Sequence, residues 1–179
     1  MYARPLFDRV DWIFVDISNE ILGLVSEIHG SLRARGETLS TAESLTAGGL
    51  SYALTIVPGA SDVFLGSITA YRPDVKVSHL SVEEKTIAER SVVSEEVAIE
   101  MGHGANKSFG STWAIATTGV AGPGPADGSE AGKVFVAFVG PSTQVVELSL
   151  SGEREVIRNA TIASAIASFA RILRQRENE

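Results

Sequence analysis

Residues 38–49 read Thr-Leu-Ser-Thr-Ala-Glu-Ser-Leu-Thr-Ala-Gly-Gly. Thr38–Ala42 is predicted as a short strand. The chain then turns through small residues into a helix expected over roughly 46–56 and closed by Pro58-Gly59. A strand that ends in polar residues and passes straight into a helix is the building block of α/β proteins. The same design recurs outward from this stretch. Val63–Tyr71 reads as a strand followed by a helical turn opened by Pro73. Trp113–Thr117 reads as a strand followed by a loop rich in glycine and proline, Thr118 to Gly128. Lys133–Val139 and Gln144–Ser149 read as an antiparallel pair joined by Gly140-Pro141-Ser142. An α/β fold with a mixed sheet is the expectation.

The helices carry their own signals. Ile21, Leu22, Val25, Ile28 and Leu32 recur at helical spacing between Ser18 and Arg35, and Gly36 is the stop. Val82–Arg90 is predicted as a further turn or two. Ser94-Glu95-Glu96 is an N-cap with first-turn acids, for a helix reaching about Ser108. A final helix is expected from Glu153 to about Gln175, with a face of Ala160, Ala163, Ile166, Ala167 and Ala170 suited to close packing. Residues 1–17 read as an N-terminal extension and 18–175 as one domain. Trp12–Val15 is apolar enough to pack on the body or on a partner chain, so a homo-oligomer is one expectation.

Composition narrows the function. The 179 residues carry a formal net charge of −7, a poor match to nonspecific nucleic-acid binding. No cysteine is present, which removes disulfides, iron–sulfur clusters and a thiol nucleophile. His29, His79 and His103 lack ligand spacing, so a metal site is not expected. No cofactor is expected either. Asp8, Asp11, Asp16 and Glu20 interrupt the N-terminal stretch, which does not read as a secretory signal. No run of about 18 apolar residues suggests a membrane span. The expected location is the cytoplasm.

Three strand ends hold the chemistry. After the first stand Ser44, Thr46, Gly48 and Gly49, where the start of a helix offers N–H groups to a developing oxyanion. The alternative for these residues is an N-cap serine and glycines that serve packing. After the second stand Tyr71 and Lys76. A lysine is a general base only when burial or neighbouring cations lower its pKa, and Arg72 is such a neighbour in sequence. The plainer alternative is a solvated lysine. After the third stand Thr118 and Gly119, whose N–H and hydroxyl groups suit a phosphate, although no Walker or dinucleotide pattern follows. No Gly-x-Ser-x-Gly elbow occurs. Three such loops in one small α/β chain point to a shared crevice.

The ordered set Thr41–Gly49, Val57–Ser61, Ala70-Tyr71 with Lys76, Val93–Ala98, Thr118–Pro123, Gly132 and Gly152-Glu153-Arg154 resembles the CinA C-terminal domain family, the nicotinamide-nucleotide amidohydrolases. The resemblance covers roughly residues 18–175. It implies an α/β/α sandwich and hydrolysis of the carboxamide of nicotinamide mononucleotide, giving nicotinate mononucleotide and ammonia in pyridine nucleotide salvage. It implies Ser44 as nucleophile, with Tyr71 and Lys76 as its partners. Larger family members carry a molybdopterin-binding-like domain as well, for which this length leaves no room. The sequence departs from the family pattern at Leu45, where cysteine is usual, at Ala47, where glycine is usual, and at Arg72-Pro73, where Ser-Asn is usual. Ser67 likewise follows Gly66 in place of a second glycine. A mononucleotide needs an anion site, and Arg154 with the Thr118-Gly119 loop is the expected one. The alternatives are an amidase acting on another small amide and a noncatalytic nucleotide-binding module.

Overall fold

The computed structural model describes residues 18–177; the predicted extension 1–17 and its Trp12–Val15 segment lie outside them. The elements run α1 (Asn19–Arg35), β1 (Leu39–Glu43), α2 (Gly49–Thr55), β2 (Phe64–Thr69), α3 (Pro73–Leu80), α4 (Glu84–Arg90), α5 (Glu95–Phe109), β3 (Trp113–Gly119), β4 (Lys133–Val139), β5 (Thr143–Ser149) and α6 (Arg154–Glu177). The sheet order is β2-β1-β3-β4-β5. The first three strands are parallel, and β4 and β5 extend the sheet antiparallel. The expected α/β architecture with a mixed sheet is what forms.

Alternation along the strands builds one core on each face of the sheet. Trp113 and Ile115 of β3, with Val134, Val136 and Phe138 of β4, face α1, α2 and α6. Ala114 and Ala116, with Phe135, Ala137 and Val139, face α3 and α5. The helix boundaries follow the capping signals. Ser18 accepts from the Ile21 amide, and Ser94 from the Val97 amide. Gly36 and Gly110 end α1 and α5 in the left-handed conformation, which glycine adopts without strain. α6 is long and apolar enough by composition to cross a membrane, but half of its most apolar window is buried, and Ile157, Ile166 and Phe169 belong to the core.

Two features place the site. Strand β1 lies between β2 and β3, and the connections leaving β1 and β3 run to opposite sides. The crevice beyond their carboxyl ends is therefore a topological switch point, where open α/β sheets bind ligands. The second feature is the seating of α3. A Cβ on Gly104 of α5 would stand 2.0 Å from the Leu80 carbonyl oxygen, so α5 and α3 meet backbone to backbone. Small residues permit such an approach.

Candidate active site

Glu43 ends β1 and is completely buried. A buried carboxylate needs donors, and it finds them in the turn that follows. Its oxygens accept from the amides of Gly48 (3.0 Å), Leu50 (3.0 Å) and Ser51 (2.7 Å). The Thr41 and Ser67 hydroxyls approach the same carboxylate at 3.4 Å. The acid thus caps α2 from below, and residues 44–48 are drawn into a compact turn. Within it the Ala47 amide donates to the Ser44 carbonyl. Ala47 takes φ +50 and Gly48 φ +90, a left-handed pair that explains why glycine suits this run.

The turn presents Ser44, which lies 8% exposed at the edge of an open cavity of about 230 Å³. Lys76 comes from α3, whose first turn is set by Pro73. Its Nζ donates to Ser44 Oγ at 2.7 Å and to the Ala70 carbonyl at 2.7 Å. Lys76 is 1% exposed. Burial pulls its pKa down to about 8, against the opposing pull of the Asp127 carboxylate. A lysine so placed is neutral often enough near physiological pH to take a proton from a hydroxyl in contact with it.

The mouth of the cavity is built by Tyr71, Arg154 and the loop between β3 and β4. Arg154 opens α6 and donates to the Gly122 carbonyl at 2.9 Å and to the Tyr71 hydroxyl. No carboxylate pairs with it among the described residues. In the same loop, Asp127 and Gly128 form a two-residue turn with φ +51 and +75, bridged on both sides by Ala126 and Ser129. The Ser91 hydroxyl donates to the Asp127 carbonyl at 2.8 Å. Asp127 lines the cavity with its carboxylate unbonded among the described residues.

Residues 22–173 match the CinA C-terminal domain family model. The chain belongs to the CinA family. A CinA-like protein of Frankia casuarinae is 40% identical over 145 residues, which are 80% of this chain and 34% of that protein. The crystal structure of competence damage-inducible protein A from Klebsiella pneumoniae superposes with a TM-score of 0.81 at 31% identity, covering 84% of this chain and 95% of that one. The competence/damage inducible protein of Agrobacterium tumefaciens does so with a TM-score of 0.81 at 31% identity, over 85% and 94%. This chain spans about a third of the length of the curated CinA relatives it matches.

The CinA domain brings Ser44, Lys76, Tyr71, Thr118, Gly119 and Arg154 to one cavity. Several residues singled out in the sequence also have engagements of their own. Helix α2 begins at Gly49 and is capped from Gly48, not near Thr46. The Gly48 amide is taken by Glu43 and the Gly49 amide by the Thr46 carbonyl, so neither is free for an oxyanion. Gly49 serves packing, since a Cβ there would meet Ile162 of α6 at 2.7 Å. The Thr46 hydroxyl is buried against that of Thr117 at 2.8 Å. Thr118 and Gly119 end β3 rather than open the loop. The Thr118 hydroxyl donates to the Val92 carbonyl, and Gly119 makes room for the backbone of Lys133 and Val134. Tyr71 is 51% exposed and bonded to Arg154 rather than to Lys76. Arg72 is exposed and paired with Asp74 at 2.9 Å, so burial, not a neighbouring cation, lowers the Lys76 pKa.

Glu43 and Asp127 were not singled out in the sequence. Each had a signal. An acid closing an otherwise apolar and small-residue strand must satisfy itself nearby, and Asp-Gly is the preferred pair for a tight two-residue turn.

Proposed function

We propose that this chain hydrolyses the carboxamide of nicotinamide mononucleotide to nicotinate mononucleotide and ammonia, with Ser44 as nucleophile and Lys76 as base. The observation that carries the proposal is the contact of a buried lysine of depressed pKa with a serine hydroxyl at the mouth of a cleft. Neutral Lys76 accepts the Ser44 proton as Oγ attacks the carboxamide carbon. The lysine returns that proton to the departing amine, which leaves as ammonia. Water then attacks the acyl ester. Lys76 takes its proton and passes it back to Ser44 Oγ as carboxylate forms. The Leu45 amide adjoins the nucleophile, belongs to a residue that lines the cavity and is bonded to no acceptor among the described residues, which makes it the candidate N–H for the oxyanion. Arg154, without a carboxylate partner, suits the substrate phosphate, and Tyr71 holds it in place. This reading places the chain in pyridine nucleotide salvage and in the cytoplasm.

The test is ammonia release from nicotinamide mononucleotide, nicotinamide riboside and nicotinamide. The expected order is mononucleotide well above the other two, with no release by Ser44→Ala. Release from another small amide alone would replace the substrate. Release that survives Ser44→Ala would remove the mechanism.

A further inference from the structure

Besides the serine–lysine pair, the cavity carries two charges of opposite sign: Arg154, paired with no acid, and Asp127, bonded to no donor. Both residues are exposed at the rim of the cavity, so their charges are open to a ligand. The Asp127 position is also built rather than incidental. Two left-handed residues and a pair of backbone bonds between Ala126 and Ser129 hold the turn, and Ser91, from another segment, ties it down by the Asp127 carbonyl. All of this fixing is done through the backbone, which leaves the carboxylate itself for a ligand. Asp127 is close enough to Lys76 for its charge to be felt there. An anion so near a residue that must be neutral to act works against catalysis in the empty site. That opposition disappears when a cation sits against the carboxylate.

We propose that Asp127 is the specificity-determining residue that recognises a positive charge on the ring bearing the amide, so that the site selects cationic aromatic amides over neutral ones of the same shape. This rests on the proposed amide hydrolysis at Ser44. A pyridinium beside Asp127 places a cation next to the acyl carbon that Ser44 attacks and cancels the field that favours the charged lysine. Selection and activation then come from one ionic contact, while Arg154 reads the anionic end of the same molecule.

The test uses the full chain with Ser44→Ala, which binds without turnover, and two probes: nicotinamide mononucleotide and its reduced dihydro form. The two share shape and phosphate, and differ in the positive charge of the ring. The expected result is binding of the cationic form at least about tenfold tighter, with Asp127→Asn in the same background removing that preference by weakening the cationic form alone. Asparagine tolerates the left-handed position, so the turn is kept. A preference that survives Asp127→Asn, an equal weakening of both probes, or binding of neither overturns the assignment. Ammonia release by the Ser44-intact chain separates the two proposals. No release, together with a charge preference that Asp127→Asn removes, sinks the reaction and leaves Asp127 as the reader of the cation. Release with a preference indifferent to Asp127 does the reverse.

Discussion

The Tyr71 hydroxyl accepts a hydrogen bond from the Arg154 guanidinium, joining two residues 83 apart in sequence across the entrance of the cleft. The same guanidinium holds the Gly122 carbonyl. One side chain thus ties α6, the end of β2 and the β3–β4 loop together, and its charge remains available to an anion.

That arrangement predicts a phosphate-dependent effect. Arg154→Ala should weaken nicotinamide mononucleotide binding by about 1.5–3 kcal/mol, the range for a charge-assisted hydrogen bond. It should leave weak turnover of nicotinamide riboside nearly unchanged. Titration calorimetry on the mononucleotide and steady-state rates on both substrates check this. Equal losses on both would mean that the arginine serves the loop through Gly122 rather than the phosphate.

Lys76 sets the pH dependence. With a pKa of about 8 in the free protein, kcat/KM should rise with pH through that region and level off above it. Lys76→Met should abolish turnover at every pH, and a residual rate with the same limb would exclude the lysine as base. Stability moves the same way. The folded pKa lies below the unfolded value of about 10.4, so the unfolded chain binds more protons between the two, and stability grows as pH rises from about 8 to 10. At pH 7 the buried charge is a liability. Lys76→Met should therefore remove this rise in stability between about pH 8 and 10 in denaturant titrations.

Glu43 predicts a defect of position. Glu43→Gln keeps the size but loses the charge, and an amide can accept at only one of its two terminal atoms. The α2 cap then loses part of its bonding, at a cost of about 2–3 kcal/mol in stability. The Ser44 turn should loosen, so kcat falls more than KM changes. Wild-type kcat in Glu43→Gln would show that the turn stands without the carboxylate.

His29 predicts acid sensitivity. It projects from α1, 2% exposed and with both ring nitrogens unbonded, and burial lowers its pKa, outweighing the Leu54 backbone, which stands outside hydrogen-bond geometry. The unfolded chain takes up a proton here first as pH falls. Stability should drop below about pH 6.5, and His29→Leu should flatten that slope in thermal melts across pH 5–8. An unchanged slope would assign the acid sensitivity to other groups.

The alternation of short apolar runs with amphipathic stretches made the α/β fold legible, and Ser18, Gly36 and Ser94 located helix ends to within a residue or two. Ser44 and Lys76 were legible as strand-end residues in a recognisable order. Their partners were harder to read. A serine before small residues resembles a helix cap, and only the fold reveals that Glu43, one residue upstream, does the capping through three amides further on. Thr118 resembles a phosphate-binding threonine until Val92, far off in sequence, is seen to take its hydroxyl. Backbone carbonyls such as Ala70 and Gly122, which hold Lys76 and Arg154, leave no trace in residue identity at all.

The close seating of α3 on α5 carries a lesson for variation in this chain. Lys76 stands one helical turn before Leu80, whose carbonyl rests where any side chain at position 104 would have to go. A single methyl there forces the two helices apart, and the lysine rides on the helix that moves. Random libraries screened for loss of turnover should therefore return substitutions at Gly104 alongside those in the cleft. Such hits would lie far from the cleft and would silence the proposed reaction by misaligning Lys76 rather than by removing it.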